Sequence, residues 1–151
     1  MIGKTIQPQL IQLQDEYQNR LKHYIPTEVL VVPELKNTKN LTENEQKEKE
    51  GDLLLKQIDS ADEVYLLDEN GKQFTSVDFA TFISKKQITL NKRMVFVIGG
   101  PYGFAPKVYQ RANSQISLSK MTFSHQMIRV IFLEQLYRAM TIIKGEPYHH
   151  Q

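Results

Sequence analysis

The regular alternation of short apolar segments with amphipathic helical segments constrains the fold of this chain most strongly. The predicted strands are residues 27–32, 64–67, 94–98 and 116–119. The predicted helices are about residues 8–24, 42–58, 76–88, 106–113 and 125–143. Successive strands separated by helices predict an α/β fold with a mainly parallel sheet and helices on both faces. The 151 residues fit one such domain, residues 1–151.

Local signals set several helix ends. Thr42 followed by Glu45 predicts a capping box. Ser76 and Ser124 are the expected N-caps of two later helices. Gly145 is expected to stop the last helix. Residues 46–52 mix both charge signs, so a solvated helix face is favoured over a binding role.

Composition excludes several function classes. The chain has no cysteine, which excludes a disulfide scaffold, a thiolate metal site and a cysteine nucleophile. No apolar run approaches the ~18 residues of a membrane span, and the N-terminal segment lacks a signal-peptide pattern. We therefore expect a cytoplasmic protein with no membrane partner. The net charge of +2 allows a nucleic-acid partner without requiring one.

Two segments that follow predicted strands carry glycine. Strand 94–98 runs into Gly99 and Gly100, and Gly103 follows. Glycines at a strand end let a ligand lie against bare backbone, but the spacing matches neither a dinucleotide nor a nucleoside-triphosphate loop. A tight strand-to-helix turn is the alternative, favoured on this segment alone. After strand 64–67, the Asn70-Gly71 pair predicts a tight turn.

A third segment, residues 117–126, carries hydroxyl side chains, Lys120 and His125 before the last helix. Helix N-termini attract anions and ligands that bind backbone groups. A loop whose hydroxyls only satisfy the backbone explains the composition equally well. Both interpretations stay open.

The last predicted helix is apolar almost all the way round, which predicts a subunit interface and hence a homodimer. Its polar residues form two clusters, one of His125, Gln126 and Arg129 and one of Glu134, Gln135 and Arg138. Glu134 and Arg138 fit an ordinary ion pair or a buried polar site.

The C-terminal tail holds Tyr148, His149 and His150. Its aromatic and basic groups suit stacking on a nucleotide base, while the alternative is a floppy end. We expect the tail to be unordered in the free protein. No Asp or Glu lies three or four residues after either histidine, so no metal site is predicted.

The segments VFVIGGPYGF, SLSKMTFSHQMIRVIFLEQLYRA and GEPYHH together resemble the RlmH-type methyltransferases of the SPOUT superfamily. The resemblance covers nearly the whole chain. It implies a homodimer with a C-terminal trefoil knot that uses S-adenosylmethionine and no metal. The implied reaction is methylation of N3 of a pseudouridine in large-subunit (23S) ribosomal RNA on the assembled ribosome.

The resemblance also implies site residues. Those against the methyl donor are Leu67, Gly100, Gly103, Ser119, Lys120, Met121, Thr122, Phe123 and Ser124. The catalytic set is His125, Glu134, Arg138 and His149, and the substrate-binding set is Arg129 and Tyr148. By residue type, His125 or His149 is the expected general base. Each subunit is expected to lend its tail to the partner's site.

The chain departs from the family pattern at its start. Family members begin with a short hydrophobic strand, whereas only Met1 and Ile2 precede Gly3-Lys4 here. We expect either a late start or a trimmed chain, with a weakened sheet edge. The second departure is Ser124, where several relatives carry proline. Two rival functions remain: a SPOUT methyltransferase with another RNA target, and a non-catalytic α/β module that binds RNA or the ribosome.

Overall fold

The structure is a computed structural model that describes residues 1–89 and 92–150. The chain forms two compact units. The first unit comprises Met1–Lys4, Val29–Lys72 and Lys92–His125. The second unit comprises Thr5–Glu28, Gln73–Asn91 and Gln126–Gln151.

Five α-helices and three strands make up the secondary structure of the described residues, together with a short 3-10 helix. The helices are α1 (Pro8–Leu21), α2 (Glu43–Leu55), α3 (Ser76–Thr89), α4 (Pro106–Arg111) and α5 (Met127–Lys144). The strands are β1 (Glu63–Gln73), β2 (Met94–Ile98) and β3 (Ser114–Ser117), and the 3-10 helix is Thr38–Asn40.

The strands form one sheet in the order β2-β1-β3. β1 and β2 are parallel, with Glu63 opposite Met94 and Leu67 opposite Ile98. The predicted α/β class is therefore confirmed.

The core of the first unit lies between the sheet and helices α2 and α4. Val64 and Leu66 alternate along β1 and share one face of the sheet with Val97. Leu54 of α2 and Val108 of α4 belong to the same buried cluster. This packing holds the loop between β2 and α4 against the sheet.

Residues 27–32 do not form the predicted strand; among the described residues, a single bridge joins Val32 to Ile2. The Val32 N–H donates to the Met1 carbonyl at 2.8 Å, and the Gly3 N–H donates to the Val32 carbonyl at 2.8 Å. Ile2 also donates to the Ile98 carbonyl at 3.4 Å. The segment is extended, but its partner is too short for a ladder of hydrogen bonds.

The predicted turn at Asn70-Gly71 is also wrong, because β1 continues to Gln73. The φ angle of Gly71 is not positive, so this glycine does not supply a left-handed turn residue. A Cβ atom at Gly71 would lie 2.5 Å from the amide nitrogen of Ile116 in β3. The glycine therefore permits a close approach of two backbones.

The capping box of α2 is confirmed. The Glu45 N–H donates to Thr42 Oγ1 at 3.2 Å, and the Thr42 N–H donates to Glu45 Oε2 at 2.8 Å. At α3 the prediction is wrong by one residue: Thr75 Oγ1 accepts from the Asp78 N–H, and Ser76 is the first helical residue.

Ser124 is not the N-cap of the last helix. α5 begins at Met127, and Gln126 occupies the cap position without a side-chain cap hydrogen bond. The Gln126 side chain instead accepts a hydrogen bond from the Ile6 N–H at 3.0 Å. A tertiary contact has displaced the local capping preference. The predicted stop at Gly145 is confirmed by its left-handed conformation, with φ of 69°.

The second unit consists of α1, α3 and α5, with α5 packed against both other helices. The buried apolar residues of α5 are Val130, Phe132, Leu133, Leu136, Ala139 and Met140. Much of the apolar surface that predicted a subunit interface is thus covered within one chain, and the homodimer stays a prediction. Within residues 1–89 and 92–150, no helix has the length and hydropathy that crossing a membrane requires.

Candidate functional site

The glycine segment after β2 is a tight turn. Gly100 and Gly103 form an antiparallel bridge, and the Gly103 N–H donates to the Gly100 carbonyl at 3.2 Å. Gly103 has a φ of 78°, a conformation that favours glycine. A Cβ atom there would meet nothing within 4 Å, so the backbone of Gly103 borders open space.

Gly100 is required for a different reason. Its φ is not positive, and a Cβ atom would lie 2.5 Å from Oε2 of Glu50 in α2. A side chain at Gly100 would therefore collide with a buried carboxylate. The mixed charges of residues 46–52 predict a solvated helix face, and this is wrong for Glu50, which is only 4% exposed. The adjacent Gly51 was the available signal, because glycine inside a helix often marks close packing.

The Tyr109 side chain fixes the position at which the pairing of β1 with β2 ends. Leu67 lies opposite Ile98, directly before the glycine segment. The next residue, Asp68, accepts a hydrogen bond from the Tyr109 hydroxyl at 2.6 Å. Burial, together with this hydrogen bond, raises the pKa of Tyr109 to about 12. The phenol therefore stays protonated and acts as a permanent donor to Asp68.

The third segment, residues 119–124, is tied to the same edge of the sheet. The Thr122 hydroxyl donates to Glu69 Oε2 at 3.0 Å. The Met121 N–H donates to Ser119 Oγ at 2.9 Å, and the Ser117 hydroxyl donates to the Ser119 carbonyl at 2.8 Å. The hydroxyls thus satisfy backbone and carboxylate groups. The three segments predicted to hold the methyl donor lie at one edge of the sheet, all in the first unit.

A second polar group lies in the second unit, around Glu134. Arg138 Nε donates to its Oε1 at 3.0 Å, and Gln135 Nε2 donates to its Oε2 at 2.7 Å. The Tyr148 hydroxyl also donates to Oε1, at 3.2 Å. The ion pair between Glu134 and Arg138 is confirmed. Three side chains therefore donate hydrogen bonds to the Glu134 carboxylate.

The C-terminal tail is packed onto this group, so the expectation of an unordered tail is wrong. The guanidinium carbon of Arg138 lies 4.8 Å from the ring centroid of Tyr148. The rings of Tyr137 and Tyr148 meet edge to face at 4.8 Å, and the Tyr17 and Tyr148 hydroxyls are 3.5 Å apart. Burial, followed by the contact with Tyr17, raises the pKa of Tyr148. Its phenol therefore stays a hydrogen-bond donor at neutral pH.

His149 is held by the same arginine. Its Nδ1 lies 3.4 Å from Nη1 of Arg138. Because a guanidinium only donates, Nδ1 is the acceptor and the ring proton is on Nε2. While this contact holds, Arg138 occupies Nδ1 of His149.

The remaining two predicted residues lie outside the group around Glu134. His125 is half-buried in the turn before α5. Arg129 is completely buried, and its Nη1 donates to Thr5 Oγ1 at 3.0 Å. In this arrangement Arg129 anchors the segment before α1, and its predicted contact with substrate stays untested.

Three residues of these groups have no strong signal in the sequence: Glu50, Tyr109 and Tyr17. Tyr17 lies within the predicted helix of residues 8–24, and its hydroxyl gives no local signal. Among the residues described, no cluster of three His, Asp or Glu side chains is arranged to hold a metal ion.

Comparisons with known proteins point to one family. Residues 1–149 match the family described as "Predicted SPOUT methyltransferase". A protein of Parabacteroides distasonis is 59% identical over 151 residues, which are 100% of this chain and 96% of the relative. One from Flavobacterium johnsoniae is 53% identical over 150 residues, 99% of this chain and 96% of the relative. Both relatives are named "Ribosomal RNA large subunit methyltransferase H".

Proposed function

The chain belongs to the SPOUT methyltransferase family, and we propose that it transfers a methyl group from S-adenosylmethionine to large-subunit ribosomal RNA. The observation that carries the proposal is the meeting of the segments around Leu67, Gly100 and Thr122 at one edge of the sheet. Ligands of parallel α/β folds bind at the carboxyl ends of the strands. The finer proposal, methylation of N3 of a pseudouridine on the assembled ribosome, follows the family resemblance.

The residues at this edge suit the proposed methyl donor. Gly103 leaves open space beside the backbone, where an adenosyl group can lie against peptide groups. Glu50, Asp68 and Glu69 give the edge acidic character. Bound S-adenosylmethionine supplies a methyl group on a positively charged sulfur, which acidic surroundings favour. The proposed donor-binding residues are those named from the resemblance.

The reaction also requires removal of the N3 proton of the target base. Glu134 and His149 already accept hydrogen bonds from other side chains. We therefore assign removal of the N3 proton to His125. Arg138 and Tyr148 offer donors that can bind phosphate or the negative charge developing on the base. Alignment of the reacting groups contributes most of the rate enhancement, since effective molarities of ~10⁵ M and above are attainable.

The proposed assembly is a cytoplasmic homodimer of single-domain subunits, residues 1–151. Family membership implies the C-terminal trefoil knot. In this proposal, the C-terminal tail of each subunit contributes residues to the active site of its partner. A net charge of +2 gives little general attraction to RNA, which favours recognition of a shaped assembly such as the ribosome.

The decisive experiment combines RNA analysis with ligand binding. Mass spectrometry of ribosomal RNA from a strain lacking this gene should show one lost methyl group, restored by the wild-type gene. Isothermal titration should show S-adenosylmethionine binding to the purified protein. Binding without a lost methyl group in the large subunit would favour another RNA target. Absence of binding at millimolar ligand would favour a non-catalytic RNA- or ribosome-binding module.

A further inference from the structure

Glu50 is a buried acid with one unsatisfied oxygen. Its Oε1 accepts a hydrogen bond from Gln46 Nε2 at 2.8 Å. Its Oε2 is inaccessible, and no donor among the described residues lies within hydrogen-bond distance of it. Burying a polar group without a partner costs stability. The packing of α2 alone does not require a carboxylate here.

The unsatisfied oxygen, Oε2 of Glu50, lies next to Gly100 of the glycine segment. A Cβ atom on Gly100 would be 2.5 Å from Oε2 and 3.2 Å from the carboxylate carbon. Because Gly100 has no side chain, the carboxylate lies directly against the backbone of Gly100, one of the proposed donor-binding residues. A charge in such a position acts with little screening by solvent.

Lys107, which lies against Gly51 next to Glu50, binds other carboxylates. The Lys107 ammonium binds Glu48 at 2.9 Å and also pairs with Asp52. These acids lie two residues before and two residues after Glu50 on α2. Across the residues that the structure describes, no ion pair includes Glu50.

We propose that Glu50 is a specificity-determining residue that favours the cationic methyl donor over the neutral product, acting through the bare backbone of Gly100. This inference rests on the proposed function. During the reaction the methyl group leaves sulfur with no electrons of the S–C bond, so sulfur keeps the pair and loses its positive charge. The attraction to Glu50 is lost in the same step, which favours replacement of product by fresh donor.

The test compares two ligands that differ only by that methyl group and charge. S-adenosylmethionine and S-adenosylhomocysteine are titrated calorimetrically into wild-type protein, Glu50→Gln and Glu43→Gln. Glu43 is the matched control, because it is exposed on the same helix and undergoes the same loss of charge. Glu50→Gln should weaken binding of the cationic ligand about tenfold more than binding of the neutral one. Glu43→Gln should leave the ratio of the two affinities unchanged.

A structural role for Glu50 predicts different results. Equal loss of both affinities, or no loss, would overturn the proposal. The melting temperature of Glu50→Gln should equal or exceed that of wild type, because an unsatisfied buried charge is removed. Glu50→Met is a second neutral variant, and failure of both variants to fold would also refute the proposal. A wild-type protein that binds neither ligand would contradict the proposed function itself, and this is measured first.

Discussion

Replacing Tyr148 tests how firmly the tail is held. Tyr148→Ala removes the edge-to-face contact with Tyr137, the stacking of Arg138 and the hydrogen bond to Glu134. Typical values are about 1 kcal/mol for the aromatic pair, about 1 for the cation–π contact and about 1 for the hydrogen bond. Because these side chains are only partly buried, we expect a total loss of about 2 kcal/mol. Tyr148→Phe keeps the ring and should lose about 1 kcal/mol.

The free energy of unfolding should be measured by urea denaturation at one protein concentration, since a dimer would make stability depend on concentration. Single-turnover methylation of ribosomes gives the functional readout. If Tyr148 positions the target, Tyr148→Ala should slow transfer by ~10²-fold. A Tyr148→Ala protein within about 0.5 kcal/mol of wild type would refute the packing argument. Transfer at the wild-type rate would refute the role in positioning.

Three further substitutions have definite expectations. Gly71→Ala should destabilise by about 2–3 kcal/mol, because its Cβ meets backbone, while Gly100→Ala should cost about 1 kcal/mol, because it meets the end of the Glu50 side chain. Equal losses in urea denaturation would contradict this. The Arg93 guanidinium lowers the pKa of Asp62 in the folded protein. The stabilisation by this pair is therefore complete above the unfolded pKa of about 3.9, and it is lost as the pH falls through the lowered pKa of the folded state. Asp62→Asn should therefore flatten the fall in melting temperature between about pH 5 and pH 2, and an unchanged acid profile would disprove the assignment.

Elements with strong local signals were predictable from the sequence. The bounds of β2 agree with the prediction for residues 94–98, because a continuous apolar run leaves little choice of register. The capping box at Thr42 was found because both partners are three residues apart. The predicted strand 27–32 is wrong because a strand needs a partner of similar length to form a ladder of hydrogen bonds, and the segment around Ile2 is short. The predicted turn at Gly71 is wrong because this glycine permits close approach of the β3 backbone and does not form a turn.

The candidate site was predictable to a similar extent. The glycine segment and the hydroxyl-rich segment were visible because they follow apolar strands. Only Gly51 beside it hinted at the burial of Glu50, because the charged residues around it are exposed and its burial depends on the loop at Gly100. The contact between Tyr17 and Tyr148 joins residues 131 positions apart, which no local pattern encodes.

The chain order of the second unit has a consequence for synthesis of the protein. The unit is assembled from three segments, Thr5–Glu28, Gln73–Asn91 and Gln126–Gln151. α1 therefore emerges from the ribosome early, but it cannot pack against α5 until Met127–Lys144 have been synthesised. Translation at about 5–20 residues per second makes this delay several seconds or more, during which the apolar face of α1 lacks its native partner. Chains terminated before α5 cannot complete this unit and would be targets for chaperones and proteases.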